Sequence, residues 1–323
     1  MSDSVPSGPE GLTAVWLEAA LGRPVGPIAW ERIGAGFGLD ATLARVTWDG
    51  GRVVAKWSSP VDGRREEAFY RDLGPCIDVP LLTFFAATHG EERSVLLLED
   101  RCDAEPGDVI AGTTRTRILA LAGQAARWHA RFWNAAEDLP PWRPEPEEWA
   151  RGALPSVAPF LARDLPIPPR VRALLAGLAA ADLVAHLRRL AEPPRTLIHG
   201  DVHLDNVLFD GDTPIVIDWP GHRRGSPAID LARLLVEGLT VQQRPALQPE
   251  VLDAWAAALE AQGVTAPASV IQEALPSAVL WMVVATARWY TRDPHPAHPR
   301  EEPLRAAVIT RAMALLEELL QPM

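Results

Sequence analysis

Over the first hundred residues, apolar positions mostly alternate with polar ones, at the period of a strand. Residues 28–33, 41–48 and 52–57 are rich in Val, Ile, Thr and Trp and are separated by glycine clusters, so each is predicted as a strand. Asp49-Gly50-Gly51 predicts a hairpin turn, because glycine accepts the positive φ that tight turns need. Residues 94–98 predict a further strand, followed directly by Glu99-Asp100. Two stretches here have a helical period instead. Residues 12–21 form a short one that Gly22 and Pro24 end. Residues 65–73 form the other, reached by a loop over 58–64, with Glu66, Phe69, Tyr70 and Leu73 on one face.

Further along, the period becomes helical. On residues 116–133, Ile118, Leu121, Ala125, Trp128 and Phe132 share one stripe. A proline-rich segment at 138–146 reads as an ordered connector. Helical patterns return at 170–190, 228–239, 249–262, 270–290 and 303–320. Strands first and helices later predict an α+β protein. There is no internal repeat.

Composition narrows the possibilities. A chain of 323 residues, 48% of them hydrophobic, is long enough for two lobes or one large domain and can fill real cores. A net charge of −11 argues against nucleic acid or an anionic membrane as the main partner. It also raises the expectation of a cationic substrate. Cys76 and Cys102 lie far apart, without metal-ligand spacing, so neither a disulfide framework nor a zinc site is expected. Residues 1–11 lack the basic and apolar regions of a secretory signal. No apolar run is expected to span a bilayer. The expected location is cytoplasmic.

The chemistry concentrates in Leu197-Ile198-His199-Gly200-Asp201-Val202-His203-Leu204-Asp205-Asn206 and in Ile215-Val216-Ile217-Asp218. Asp201, Asn206 and Asp218 are placed at short separations around a strand-turn-strand, which suits Mg²⁺-dependent phosphoryl transfer. Asp201 can align a hydroxyl and accept its proton, while Asn206 and Asp218 supply oxygen ligands for the metal. In Gly34-Ala35-Gly36-Phe37-Gly38, the glycines Gly34, Gly36 and Gly38 would let backbone N–H groups approach phosphates; an ordinary glycine-rich hairpin explains them as well. Lys56 is the only lysine in a chain that otherwise uses arginine, and the two are not interchangeable at a point-charge phosphate site. A solvated strand-end lysine is the plainer alternative. Glu66 is its best partner, on the apolar helix face, while Glu67 points elsewhere. A metal hydrolase built on His199, Asp201 and His203 competes, but leaves Lys56 and the glycines unexplained.

The spacing from Asp201 to Asn206, with Asp218 beyond, resembles the catalytic loop and metal-binding Asp of protein kinases. With Gly200 before Asp201, and Lys56 in Val53-Val54-Ala55-Lys56, the chain is most similar to the aminoglycoside phosphotransferase and choline kinase superfamily. Phe69-Tyr70-Arg71-Asp72-Leu73, Leu97 to Asp100 and Trp128-His129-Ala130 resemble its ecdysteroid kinase-like branch. The resemblance implies a bilobal protein-kinase-like fold: an antiparallel-sheet nucleotide-binding lobe with one key helix over 1–100, a hinge at about 96–102, and a helical lobe over 101–323. It implies ATP and Mg²⁺, with Lys56 on the phosphates and backbone groups around Leu98 and Asp100 on the adenine. His199 would hold the loop and Asp230 would brace it, helix capping being the alternative for Asp230. His203 could support the loop or approach the phosphates.

The implied acceptor is a small hydroxylated molecule: an antibiotic such as an aminoglycoside, an amino alcohol, a sugar or another alcohol. Glu237 and Asp293 are candidates for holding a cationic one. Trp128, Trp133, Trp255, Trp281 and Trp289 fall in the helical region, most of them expected in the core. Trp219 stands where protein kinases carry Phe, and no activation segment ending in Ala-Pro-Glu follows, which argues against a protein substrate. A nucleotide-binding pseudoenzyme that regulates a partner is the rival from another class. Oligomeric state leaves no trace in the sequence.

Overall fold

The computed structural model describes residues 5–34, 42–143, 145–265, 268–292 and 299–320. Its N-terminal part is a five-stranded antiparallel sheet of β1 (Ile28–Ile33), β2 (Thr42–Trp48), β3 (Gly51–Ser58), β4 (Phe84–His89) and β5 (Ser94–Leu98), in the order β1-β2-β3-β5-β4. The β2–β3 hairpin closes at Asp49-Gly50, with Gly50 at φ +83°. One sheet face packs on α1 (Ala14–Leu21), which Gly22 ends in the left-handed conformation. The alternation of a strand puts Val53, Ala55 and Trp57 into that core and turns Lys56 to the opposite face.

That opposite face receives α2 (Pro60–Ala68), which continues into a wider helical turn over Phe69–Leu73. The helix starts earlier than its apolar periodicity predicts, so most of the expected 58–64 loop is helical. Ser59 is the reason: its hydroxyl accepts from Asp62 N at 3.1 Å, and Pro60 supplies a preset φ at the first position. A Cβ on Gly63 would come within 2.2 Å of Ser94 Cβ, so this glycine lets α2 lie directly on β5. Strand β4, absent from the sequence reading, is an edge strand whose register shifts between Phe84 and Ala86; the bulge breaks the alternation that would mark it.

The rest is mainly helical: α3 (Arg115–Arg131), α4 (Pro146–Ala153), α5 (Val157–Leu161), α6 (Pro169–Gly177), α7 (Ala180–Arg189), α8 (Ala228–Glu237), α9 (Arg244–Ala261), α10 (Ala268–Tyr290) and α11 (Glu301–Leu319). The helix predicted over 170–190 is two, parted where Leu178 turns extended (ψ 108°). Helix α9 begins before Pro249, at Arg244. Two small sheets complete the chain: β6 (Glu105–Pro106), β8 (Val207–Asp210) and β9 (Thr213–Val216) in the order β6-β8-β9, and β7 (Thr196–Ile198) with β10 (Arg223–Gly225). Against expectation, among the described residues one stretch, Val270–Tyr290, is long and apolar enough to cross a membrane, but 72% of its most apolar part is buried inside the fold. It packs mainly on α7, α8 and α11.

The loop between β7 and β8 is held from below by one carboxylate. Asp230, fully buried in the first turn of α8, accepts from the backbone N–H of His199 and of Gly200, each at 2.9 Å. It also accepts from Trp128 Nε1 at 3.3 Å and His129 Nε2 at 3.2 Å, both on α3. His129 Nδ1 accepts in turn from Trp255 Nε1 at 2.9 Å, which fixes the proton on Nε2. Burial would raise the Asp230 carboxyl, but His129, His199 and the Gly200 N–H outweigh it and hold it below its usual value. Its carboxylate thus braces the loop rather than capping its own helix.

Removing that acceptor strands four donors. Asp230→Ala is expected to cost about 3–5 kcal/mol in denaturant unfolding, the range for breaking a buried charged network. Asp230→Asn, which keeps one acceptor oxygen, should cost less. A second expectation concerns acid. Burial pushes the pKa of His199 down and that of His222 to about 4. The unfolded chain therefore takes up those protons first, and stability should fall as pH drops from about 6.5 through about 4. His222→Asn, which can keep the bond from Nδ1 to the Trp219 carbonyl (2.8 Å), should flatten that slope in melting curves taken against pH.

Candidate active site

Lys56 Nζ donates to Glu66 Oε2 at 2.6 Å, and it also pairs with Asp218. Burial alone would push its ammonium down, but the two carboxylates outweigh this and keep it charged. Glu66 is fully buried on α2, and burial pushes its carboxyl up against the pull of Lys56. Glu67 instead bonds His89 and pairs with Arg71 at 2.9 Å. The side chains of β3, α2 and the turn after β9 thus meet at one cation.

Asp218 adopts a left-handed backbone (φ +66°, ψ +65°), a sparsely populated state for a non-glycine residue, and its neighbours hold it there. The next residue does the holding. The Trp219 ring stacks on Phe69 from the turn after α2 (3.8 Å, 6°), meets Trp128 edge-on at 5.4 Å, and donates from Nε1 to the Val216 carbonyl at 3.0 Å. This aromatic column ties α2, the Asp218 turn and α3 together.

Asp201 lies in the loop after β7, with its side chain partly open to the cleft. Arg233 of α8 reaches its Oδ1 at 2.9 Å, and His203 Nε2 lies 3.5 Å from Oδ2. Burial would raise this carboxyl, but Arg233 and then His203 hold it far below the usual range, so it is ionised at neutral pH. His203 responds in the other sense: against the effect of burial, Asp201 raises its pKa to about 9. His199 is neutral, donating from Nε2 to the Ile217 carbonyl at 3.0 Å and accepting from Asp201 N at 3.2 Å. Gly200 sits at φ +80°, and a Cβ there would come within 2.9 Å of the Gly221 carbonyl, which leaves no room for a side chain.

Asn206 donates from Nδ2 to the Asp201 carbonyl at 3.0 Å, which orients its amide. The side-chain donors that Asn206 and Asp218 offer a cation are oxygens, the set a hard cation such as Mg²⁺ takes alongside phosphate and water. Among the described residues, no group of three or more His, Cys, Asp or Glu is arranged to hold a metal. The metal-hydrolase reading needs such a group.

Lys56, Asp201, His203, Asn206 and Asp218 all line one cleft of about 1040 Å³ between the sheet and the helices. Leu98 and Asp100 are not among its lining residues. Leu98 is buried in β5, and the Asp100 carboxylate is taken by Arg45 Nε at 2.7 Å, with Arg52 at 3.6 Å. Of the glycine cluster, Gly34 has φ +72°, while Gly36 and Gly38 lie outside the described residues, as does Asp293. Cys76 and Cys102 are free and exposed.

Two features escaped the sequence reading. Arg233 had a usable signal: it lies three residues after Asp230 and four before Glu237, so on α8 it can share a face with both. Arg143, in the proline-rich connector, had none.

The sequence profile of the phosphotransferase enzyme family matches residues 29–270. No curated protein matches the chain by sequence. Among solved structures, the spectinomycin phosphotransferase complex with ADP and spectinomycin aligns with a TM-score of 0.59, covering 95% of this chain and 98% of that one at 14% identity. The aminoglycoside phosphotransferase from Alicyclobacillus acidocaldarius gives 0.56, covering 94% of each chain at 17% identity. The macrolide 2'-phosphotransferase from Brachybacterium faecium gives 0.53, covering 90% and 96% at 19% identity. At such identities the structural likeness establishes the protein-kinase-like fold, and the profile, which spans most of the sequence, establishes the rest: this chain belongs to the phosphotransferase enzyme family.

Proposed function

We propose that the protein transfers the γ-phosphoryl group of ATP to a hydroxyl of a small molecule. The observation that carries this reading is the convergence of Lys56, Asp201, Asn206 and Asp218, from separate elements, on one cleft. The sheet region to about residue 100 forms the nucleotide lobe, the chain near 96–102 is the hinge, and the helical region carries the acceptor. Lys56, held charged by Glu66, binds the nucleotide phosphates, and backbone groups near Leu98 and Asp100 read the adenine. Gly34, Gly36 and Gly38 would supply backbone N–H groups to the phosphates.

Asp201 orients the acceptor hydroxyl. As the bond from its oxygen to the γ-phosphorus forms, the bond from that phosphorus to the bridging oxygen of ADP breaks, and the hydroxyl proton passes to Asp201. With so low a pKa, Asp201 is a weak base, so alignment is its main contribution until the proton becomes acidic in the transition state. Mg²⁺, held by Asn206 and Asp218, would offset charge on the phosphates. The intact set of polar residues favours an enzyme over a pseudoenzyme.

Two measurements test this. Asp201→Asn should lower acceptor-dependent ADP release by about 10²- to 10⁴-fold, the usual range for losing a general base, while the thermal shift produced by Mg-ATP persists. Because Lys56 is the only lysine, an acyl-phosphate derivative of ATP should acylate a single lysine, and excess ATP should block the adduct in mass spectrometry. Acylation that ATP does not protect against would sink the assignment of Lys56 to the nucleotide.

A further inference from the structure

The helical wall of the cleft has a charge pattern that the overall acidity of the chain conceals. Four carboxylates line it, and each already has a cationic partner, which for Asp218 is Lys56. Asp201 and Glu237 share Arg233, at 2.9 Å each, and Asp205 takes Arg300 at 3.3 Å. Arg143, Arg223, Arg288 and Arg292 line the same cleft, and none has a carboxylate within 4.0 Å among the described residues. Glu237, a candidate for holding a cationic acceptor, is therefore neutralised where it stands. On the sheet side, Asp62, Arg65, Glu92 and Arg93 mix both signs.

Arg143 is the most telling of the four. The proline-rich connector carrying it is pinned to β10 by bonds from Trp142 N to the Arg224 carbonyl (2.7 Å) and from Arg224 N to the Pro140 carbonyl (2.9 Å). At the end of this tether, Arg143 has φ +51°, a strained state for an arginine that persists only where the surroundings impose it. Its guanidinium lies over the rings of Trp142, Trp149 and Trp281, at 5.4, 5.5 and 5.7 Å. The side chain is open to the cleft, yet desolvation, and then Arg233, Arg223 and Arg288, push its pKa down to about 10 against the weaker opposing pull of Asp201. Like charges are gathered here at an energetic cost, and an anion would relieve it. The wall around them is partly apolar, with Trp149, Trp289, Ala285, Leu304 and Val308.

From this we infer that the acceptor is an organic anion: a hydroxylated carboxylate or phosphate ester with an apolar body, its charge held by Arg143 and Arg288. The hydroxyl in this description rests on the phosphotransferase reading; the anion preference does not. A planar guanidinium stacked on indole matches carboxylate or phosphate oxygens in a bidentate fork. Cationic aminoglycosides and amino alcohols are then disfavoured by unpaired like charge.

The test is a titration of the whole protein with Mg-ADP, followed by tryptophan fluorescence, using three aromatic probes of similar size: 4-hydroxybenzoate, phenyl phosphate and 4-hydroxybenzylamine. The expected result is saturable binding of one or both anions and weaker or no binding of the amine. Arg143→Met and Arg288→Met should each weaken the anion about tenfold or more, one charged hydrogen bond's worth, with the Mg-ADP affinity unchanged. Preference for carboxylate or for phosphate identifies the anion. The inference is overturned if the amine binds as well as the anions, if no anion binds up to about 50 mM, well beyond the millimolar end of ordinary binding, or if both folded variants bind the anions as well as the parent. A protein that binds the anions but not Mg-ATP would fail as a kinase while this inference stood, so the two readings fail separately.

Discussion

The site depends on a carboxylate that never meets a substrate. Asp230 gathers two backbone N–H groups of the catalytic-type loop and two side-chain donors of α3 onto its two oxygens, deep in the core. An ionised group in such a place is stable only when fully bonded, so the loop, α3 and α8 share one allowed arrangement. Asp201 inherits its position from this arrangement. So does Arg233, one turn further along α8, which fixes the Asp201 carboxylate from the other side.

A second constraint joins the sheet to the helices. Lys56 and Glu66 belong to the N-terminal region, while Asp218 follows β9. Charge alone would not set their separation, because long side chains adapt. The Phe69–Trp219–Trp128 column does, since stacked rings resist sliding and bury large apolar area. The tryptophan that stands where protein kinases carry phenylalanine is thus a packing residue, with its N–H satisfied by the Val216 carbonyl. The left-handed Asp218 lies just before it, and the strain there is tolerated because the column over-determines the turn.

Much of the fold was legible where local physics and tertiary packing agree. The strands β1, β2, β3 and β5 follow from alternation, and the β2–β3 turn from its glycines. The departures have separate local reasons. Strand β4 lost its period to a bulge, α2 began at a cap rather than at an apolar stripe, and the helix at 170–190 broke at a residue that carries no signal. The helical period of α10 is legible, but not that its apolar stretch is long enough to cross a membrane.

By itself, the sequence pointed to the phosphotransferase family and to the residues proposed to carry its chemistry. The spacing from Asp201 to Asn206 to Asp218 and the single lysine are local and nearly invariant to what surrounds them, so they can be read from the chain. It also set the side of the sheet on which Lys56 falls, because strand alternation needs no partner. The electrostatic character of the cleft was decided only in three dimensions. A chain of net charge −11 presents arginines that, among the described residues, have no carboxylate partner, since the carboxylates there are taken by Arg233, Arg300 and Lys56 while Arg143 arrives from a distant connector. Net charge is a sum over the whole surface, and a binding site responds only to the few charges that the fold leaves without a partner.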